Sequence, residues 1–203
     1  IAELAALRQS EAAETQAAGG DRDSLSLRPA DEELIAAVAA ANPRTVVVIE
    51  AGSAVMVERW RDAVPAIVML WYPGAEGGHA LADILLGAEC PSGRLSFAVP
   101  ADEAHLPPFD KNARQITYDL WHGQRLVDRD GVQAAFPLGF GLSYTTFELS
   151  DLHVEARGDA LEVAVDVRNT GERRGAHVVQ VYGGPQEPVA DRPPRVLLGF
   201  QRI

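Results

Sequence analysis

Residues 66–94 read AIVMLWYPGAEGGHALADILLGAECPSGR, and this stretch decides the fold. It opens on an apolar run, Ala66 to Trp71, with the pattern of a strand buried on both faces. Tyr72-Pro73-Gly74-Ala75-Glu76-Gly77-Gly78 is a turn, since Pro and three Gly suit neither helix nor strand. His79 to Leu86 reads as a helix stopped by Gly87. Strand, glycine-rich turn and helix form the unit in which α/β proteins place ligands, beyond the carboxyl ends of the strands.

The flanking sequence repeats the unit. Pro29-Ala30-Asp31-Glu32-Glu33 opens a helix with Asp31 as the expected N-cap, Leu34, Ile35, Val38 and Ala41 form its apolar stripe, and Asn42-Pro43 ends it. Thr45 to Ile49 is a β-branched strand, followed by a second strand-to-turn junction at Glu50 to Ala54. Met56 to Val64 is expected as a short helix with Trp60 as a packing residue. Alternating strands and helices imply a parallel, doubly wound sheet. Glu3 to Ala18 has helical propensity, ended by Gly19-Gly20.

After Pro91-Ser92-Gly93-Arg94, residues 96–100 read as a further strand, and residues 101–135 read as a long loop. That loop holds Tyr118, Trp121 and His122, an aromatic-and-polar group suited to a sugar: a ring covers the C–H face while polar groups meet the hydroxyls. A packing role for Trp121 is the alternative. From Phe147 the period changes to two, in runs at 147–149, 161–167, 177–182 and 195–200 with turns between them. Such runs read as an immunoglobulin-like antiparallel sandwich.

Three blocks carry a family resemblance. WYPGAEGGHALADILLG followed by PSGRL, then FPLGFGLSYTTF at 136–147, then Gly20-Asp21-Arg22 with Ala41-Asn42-Pro43-Arg44-Thr45-Val46-Val47-Val48, all resemble glycoside hydrolase family 3, the β-glucosidase and β-xylosidase family. The resemblance implies a C-terminal α/β sandwich domain over 1–146 and the incomplete start of a fibronectin type III-like domain over 147–203. It implies a retaining, exo-acting β-glycosidase, foremost a β-glucosidase, whose nucleophilic aspartate lies on an N-terminal (β/α)8 barrel of roughly 250 residues that this chain does not contain. The chain would supply the acid/base glutamate, Glu14 or else Glu11, and would be inactive as an isolated fragment. Asp21 and Arg22 would stand near the sugar with Trp121 and His122. Relatives have a Glu-Gly-rich segment before Gly-Asp-Arg where this chain has Ala and Gln, and a Tyr-x-Glu-Gly pattern where it has Trp-His-Gly. These departures keep open a second reading, a non-catalytic carbohydrate-binding or structural module.

The bulk properties narrow the partners. A net charge of −11 argues against nucleic acid and anionic membranes and is indifferent to a neutral sugar. Cys90 is the single cysteine, so no intrachain disulfide forms, and a catalytic thiol is not expected. Lys111 is the one lysine among 18 basic residues, which suggests a high-GC bacterial source, cytoplasmic or secreted. There is no signal-peptide pattern, no apolar run of the roughly 18 residues a membrane span needs, no metal-binding motif and no dinucleotide fingerprint. No cofactor is expected. The expected partners are a β-glucoside or oligosaccharide, the barrel in the same or another chain, and a second copy of this chain.

Overall fold

The structure is a computed structural model that describes residues 24–110 and 112–203. Its first helix, α1, spans Pro29–Ala41. Pro29 starts it, because proline has the helical φ and lacks an N–H that would be unpaired there anyway. Arg28 is therefore the N-cap, and the expected cap Asp31 sits inside the first turn, paired with Arg28 at 2.9 Å. Asn42 closes α1 by donating its N–H to Val38 O, as expected.

Strands β1, Val46–Ile49, and β2, Ala66–Met69, pair in parallel, with Val46 opposite Ala66 and Ile49 opposite Met69. They form a two-stranded sheet among the described residues, and both strands are half-buried rather than buried on both faces. The segment between them is not the expected helix. Val55, Met56 and Val57 run as buried irregular chain, and only Arg61–Ala63 makes a 3₁₀ turn. Three β-branched valines and Pro65 disfavour an α-helix here. Trp60 does pack inside, 4% exposed, among Val57, Val64, Val99 and Ala135. Ile35, Val47, Ile49, Ile67 and Phe97 surround this cluster, so α1 and both parallel strands meet on one core.

Helix α2 spans Gly77–Leu86, two residues longer than expected at its start. Gly77 is buried beneath Pro73, whose ring occupies the space a Cβ would need. Gly87 ends α2 at φ +76, donating to Ile84 O. Strand β3, Val99–Pro100, pairs antiparallel with β4, Ala134–Phe136. Between them lies helix α3, Gln124–Asp130, where the sequence reads as loop. Its seven residues bury only Leu126 and Val127, too few for a visible period.

All four period-two runs form strands. β5, Phe147–Arg157, and β6, Ala160–Asn169, make an antiparallel hairpin, bulged between Ser150 and His153. β7, Val178–Gly183, pairs antiparallel with β8, Val196–Arg202. This half is tied to the first by a polar latch. Arg195 grips Asp128 of α3 through Nε–Oδ2 at 2.8 Å and a second hydrogen bond at 3.0 Å. Gln124 donates to Asp128 and accepts from Leu138 N. Gln180 donates to Gly139 O, and Tyr182 OH donates to Gln180 Oε1. Gly139 sits at φ +79, a left-handed conformation that favours glycine, and Gln180 Oε1 lies in the space a Cβ would take. A cavity of about 260 Å³ lies within this latch. Burial acts to raise the Asp128 carboxyl, but hydrogen bonds from Arg195 and Gln124 and the Arg195 charge outweigh it and hold it below the ordinary range. A second contact joins the halves where Arg94 reaches His177 Nδ1 at 3.5 Å. Burial, then the Arg94 charge, lowers the His177 pKa.

Three outcomes follow from this packing. Trp60→Ala is expected to cost about 3–5 kcal/mol in urea denaturation, since it empties the centre of the core. Arg195→Ala is expected to cost about 1 kcal/mol at pH 7, because the pair is part-exposed on the Arg195 side. That loss should shrink as pH falls below about 4, where Asp128 protonates in the unfolded chain and then in the folded one. His177, with its folded pKa below the unfolded value, favours folding least when acid: stability should be full above about pH 6.5 and decline as pH falls below it. His177→Gln should flatten that decline in pH-dependent melting curves.

Candidate functional site

Because β1 and β2 are parallel, the chain leaves both at the same edge, through residues 50–54 and 70–76. The two exits touch. A Cβ on Gly52 would lie 2.6 Å from Tyr72 Cε2, so the ring edge rests in the space that this glycine leaves open. Leu70 N donates to Ile49 O at 2.8 Å, continuing the strand pairing one bond past Met69. Trp71 then takes φ +61, a left-handed conformation that costs a side-chain-bearing residue about 1–2 kcal/mol.

That one residue redirects two aromatic rings. Trp71 packs edge-on against Phe97, ring centroids 5.2 Å apart. Tyr72 points outward and is 75% exposed. Pro73, packed on Gly77, joins this turn to α2, whose N-cap is Glu76. Glu76 Oε2 and His79 Nδ1 lie 2.7 Å apart, both side chains exposed. The edge thus carries an open aromatic ring, a carboxylate and an imidazole on one short turn. Such a set can bind a polar ligand with an apolar face. Among the described residues, no three His, Cys, Asp or Glu side chains gather to hold a metal ion.

Of the expected site residues, Glu11, Glu14, Asp21 and Arg22 lie outside the described residues. Trp121 and His122 stand together in a turn before α3. Trp121 is half-buried, donates its backbone N–H to Asp119 Oδ1 at 2.7 Å, and carries the Arg129 guanidinium over its ring at 5.2 Å. His122 is exposed; its Nδ1 lies 2.7 Å from Asp119 O, and its ring stands 6.4 Å from Tyr118. One face of Trp121 is therefore covered by its own chain. Cys90 is half-buried, with Sγ 3.1 Å from Ser143 Oγ. Tyr72, Glu76 and His79 are not among the residues the sequence singles out, although the strand–turn–helix pattern points to their turn.

The chain has relatives among known proteins. A family model described as the glycosyl hydrolase family 3 C-terminal domain matches residues 3–144. A beta-glucosidase of Kluyveromyces marxianus is 37% identical over 196 residues, covering 94% of this chain and 23% of that protein. A beta-glucosidase of Bacteroides ovatus is 38% identical over 198 residues, covering 91% of this chain and 26% of that protein. The solved structure of beta-glucosidase 3B from Thermotoga neapolitana in complex with glucose superposes with a TM-score of 0.81 at 35% identity, over 91% of this chain and 28% of that one. The chain spans about a quarter of the length of these relatives. Over residues 3–144, on a model match that takes in more than half of its length, the chain belongs to glycosyl hydrolase family 3 and carries that family's C-terminal domain.

Proposed function

We propose that this chain is the acid/base half of a retaining, exo-acting β-glucosidase that removes terminal β-D-glucosyl residues. The observation that carries this is the match of almost the whole chain, at more than a third identity, to proteins named beta-glucosidase. A glucose complex of one structural neighbour supports glucose as the sugar. In this reading an N-terminal barrel, in the same or another chain, provides the nucleophilic aspartate. The acid/base glutamate comes from Glu14 or Glu11, about 5 Å from that aspartate in the assembled site. It protonates the leaving oxygen, then activates the water that releases the sugar. Asp21, Arg22, Trp121 and His122 contact the sugar or hold its pocket.

The domain boundaries belong to the same proposal: residues 1–146 as the α/β sandwich domain and 147–203 as the incomplete start of a fibronectin type III-like sandwich. Leu152, Leu161 and Phe200 support the latter, since each is more than 60% exposed on strands whose pattern calls for an inner face. The single lysine supports a bacterial source. A homodimer completes the set of proposed partners.

Glutamine substitutions test the assignment in the barrel-bearing enzyme. Replacing the acid/base glutamate, Glu14→Gln or Glu11→Gln, should lower kcat/KM on cellobiose by about 10²–10⁴-fold. The loss should be smaller on an aryl glucoside with an activated leaving group, which needs little protonation. If neither substitution lowers the rate, the assignment is wrong and the non-catalytic module becomes the better reading.

A further inference from the structure

We propose that Tyr72 is a carbohydrate-stacking platform: its ring receives the C–H face of a pyranose at the carboxyl edge of β1 and β2, and Glu76 and His79 meet the hydroxyls. The ligand class rests on the β-glucosidase reading; the platform rests on the geometry of the turn.

An exposed tyrosine alone says little, because single exposed aromatics are common. This one is built into place from three sides. Trp71 holds the unfavourable left-handed conformation, which turns its own ring inward and sends Tyr72 out. Gly52, on the exit of the neighbouring strand, leaves the space that the Tyr72 ring edge occupies. Pro73 stiffens the next position by packing on Gly77. The result is a ring with a fixed base and an open face, at the edge where open α/β sheets take ligands.

The chemistry around the ring suits a sugar. A pyranose has an apolar patch of C–H bonds on one face and hydroxyls at its rim. An aromatic face buries the first. Glu76, four residues on, accepts hydrogen bonds from vicinal hydroxyls, and its Oε2 lies 2.7 Å from His79 Nδ1. Both groups are exposed and available to a ligand.

The test compares Tyr72→Ala with Tyr72→Phe in the barrel-bearing enzyme. Tyr72→Ala should raise KM for cellobiose about fivefold with little change in kcat, the signature of lost ground-state binding. Tyr72→Phe should keep the wild-type KM, because the ring, not the hydroxyl, makes the contact. Melting temperatures should match in all three proteins, since the ring is 75% exposed. An unchanged KM in Tyr72→Ala, or equal damage from both variants, overturns the platform and leaves the β-glucosidase reading intact. If the wild-type enzyme cleaves no β-glucoside, the functional reading fails separately. The platform is then judged by titrating the 203-residue chain with cellobiose and following the Tyr72 ring protons by NMR. Shifts at Tyr72 sustain it; their absence up to the solubility of the sugar overturns it.

Discussion

Parallel pairing of Val46–Ile49 with Ala66–Met69 is the constraint on which the rest of the molecule depends. Parallel strands cannot be joined by a tight turn, so the chain must cross back over the sheet before it can pair. Here the crossing is the segment from Val55 to Val64, whose Val55, Met56, Val57, Trp60 and Val64 are buried, and it carries Trp60 into the centre of the core. The same pairing brings both strand exits to one edge, where Gly52 and Tyr72 come into contact. Core and candidate site are thus two ends of one arrangement, the crossover filling one and the exits making the other.

The second half is tied to the first by directional contacts. Asp128 accepts hydrogen bonds from Arg195 and Gln124, and Gln180 donates to the backbone carbonyl of Gly139. The FPLGFGLSY segment lies under this latch and is held from the other side by Leu95, which exchanges hydrogen bonds with Gly139 and Phe140. Its glycines therefore do structural service: Gly139 takes a left-handed φ of +79, and a Cβ on Gly141 would meet the carbonyl oxygen of Gly93. One of the motifs that carries the family resemblance thus works here as a joint between the two halves.

Much of this was legible in the sequence, for identifiable reasons. Helix ends marked by Asn42-Pro43 and Gly87 fell where expected, since proline and left-handed glycine are local signals. The four period-two runs after Phe147 all became strands, because alternation over several residues is hard to mistake. What failed depended on tertiary context. The segment from Met56 to Val64 read as a short helix, but burial of Val55, Met56 and Val57 goes with irregular chain there. Helix α3 was too short to show a period, and Asp31 lost the cap to Arg28 because Pro29, favoured as the first helical residue, starts the helix three positions earlier. At the candidate site, the strand–turn–helix pattern pointed to the turn after β2, yet nothing local announced that Trp71 would turn left-handed. Glu11, Glu14, Asp21 and Arg22 rest on the sequence resemblance, outside the described residues.

The central claim is a division of labour: this chain supplies the acid/base side and a barrel supplies the nucleophile. It is tested most directly by trapping the covalent intermediate in the native protein with a 2-deoxy-2-fluoro glucoside, followed by peptide mass spectrometry. The account predicts a labelled aspartate in a peptide that lies outside these 203 residues. A label on any residue of this chain, or a failure to label a protein that hydrolyses β-glucosides, would contradict it.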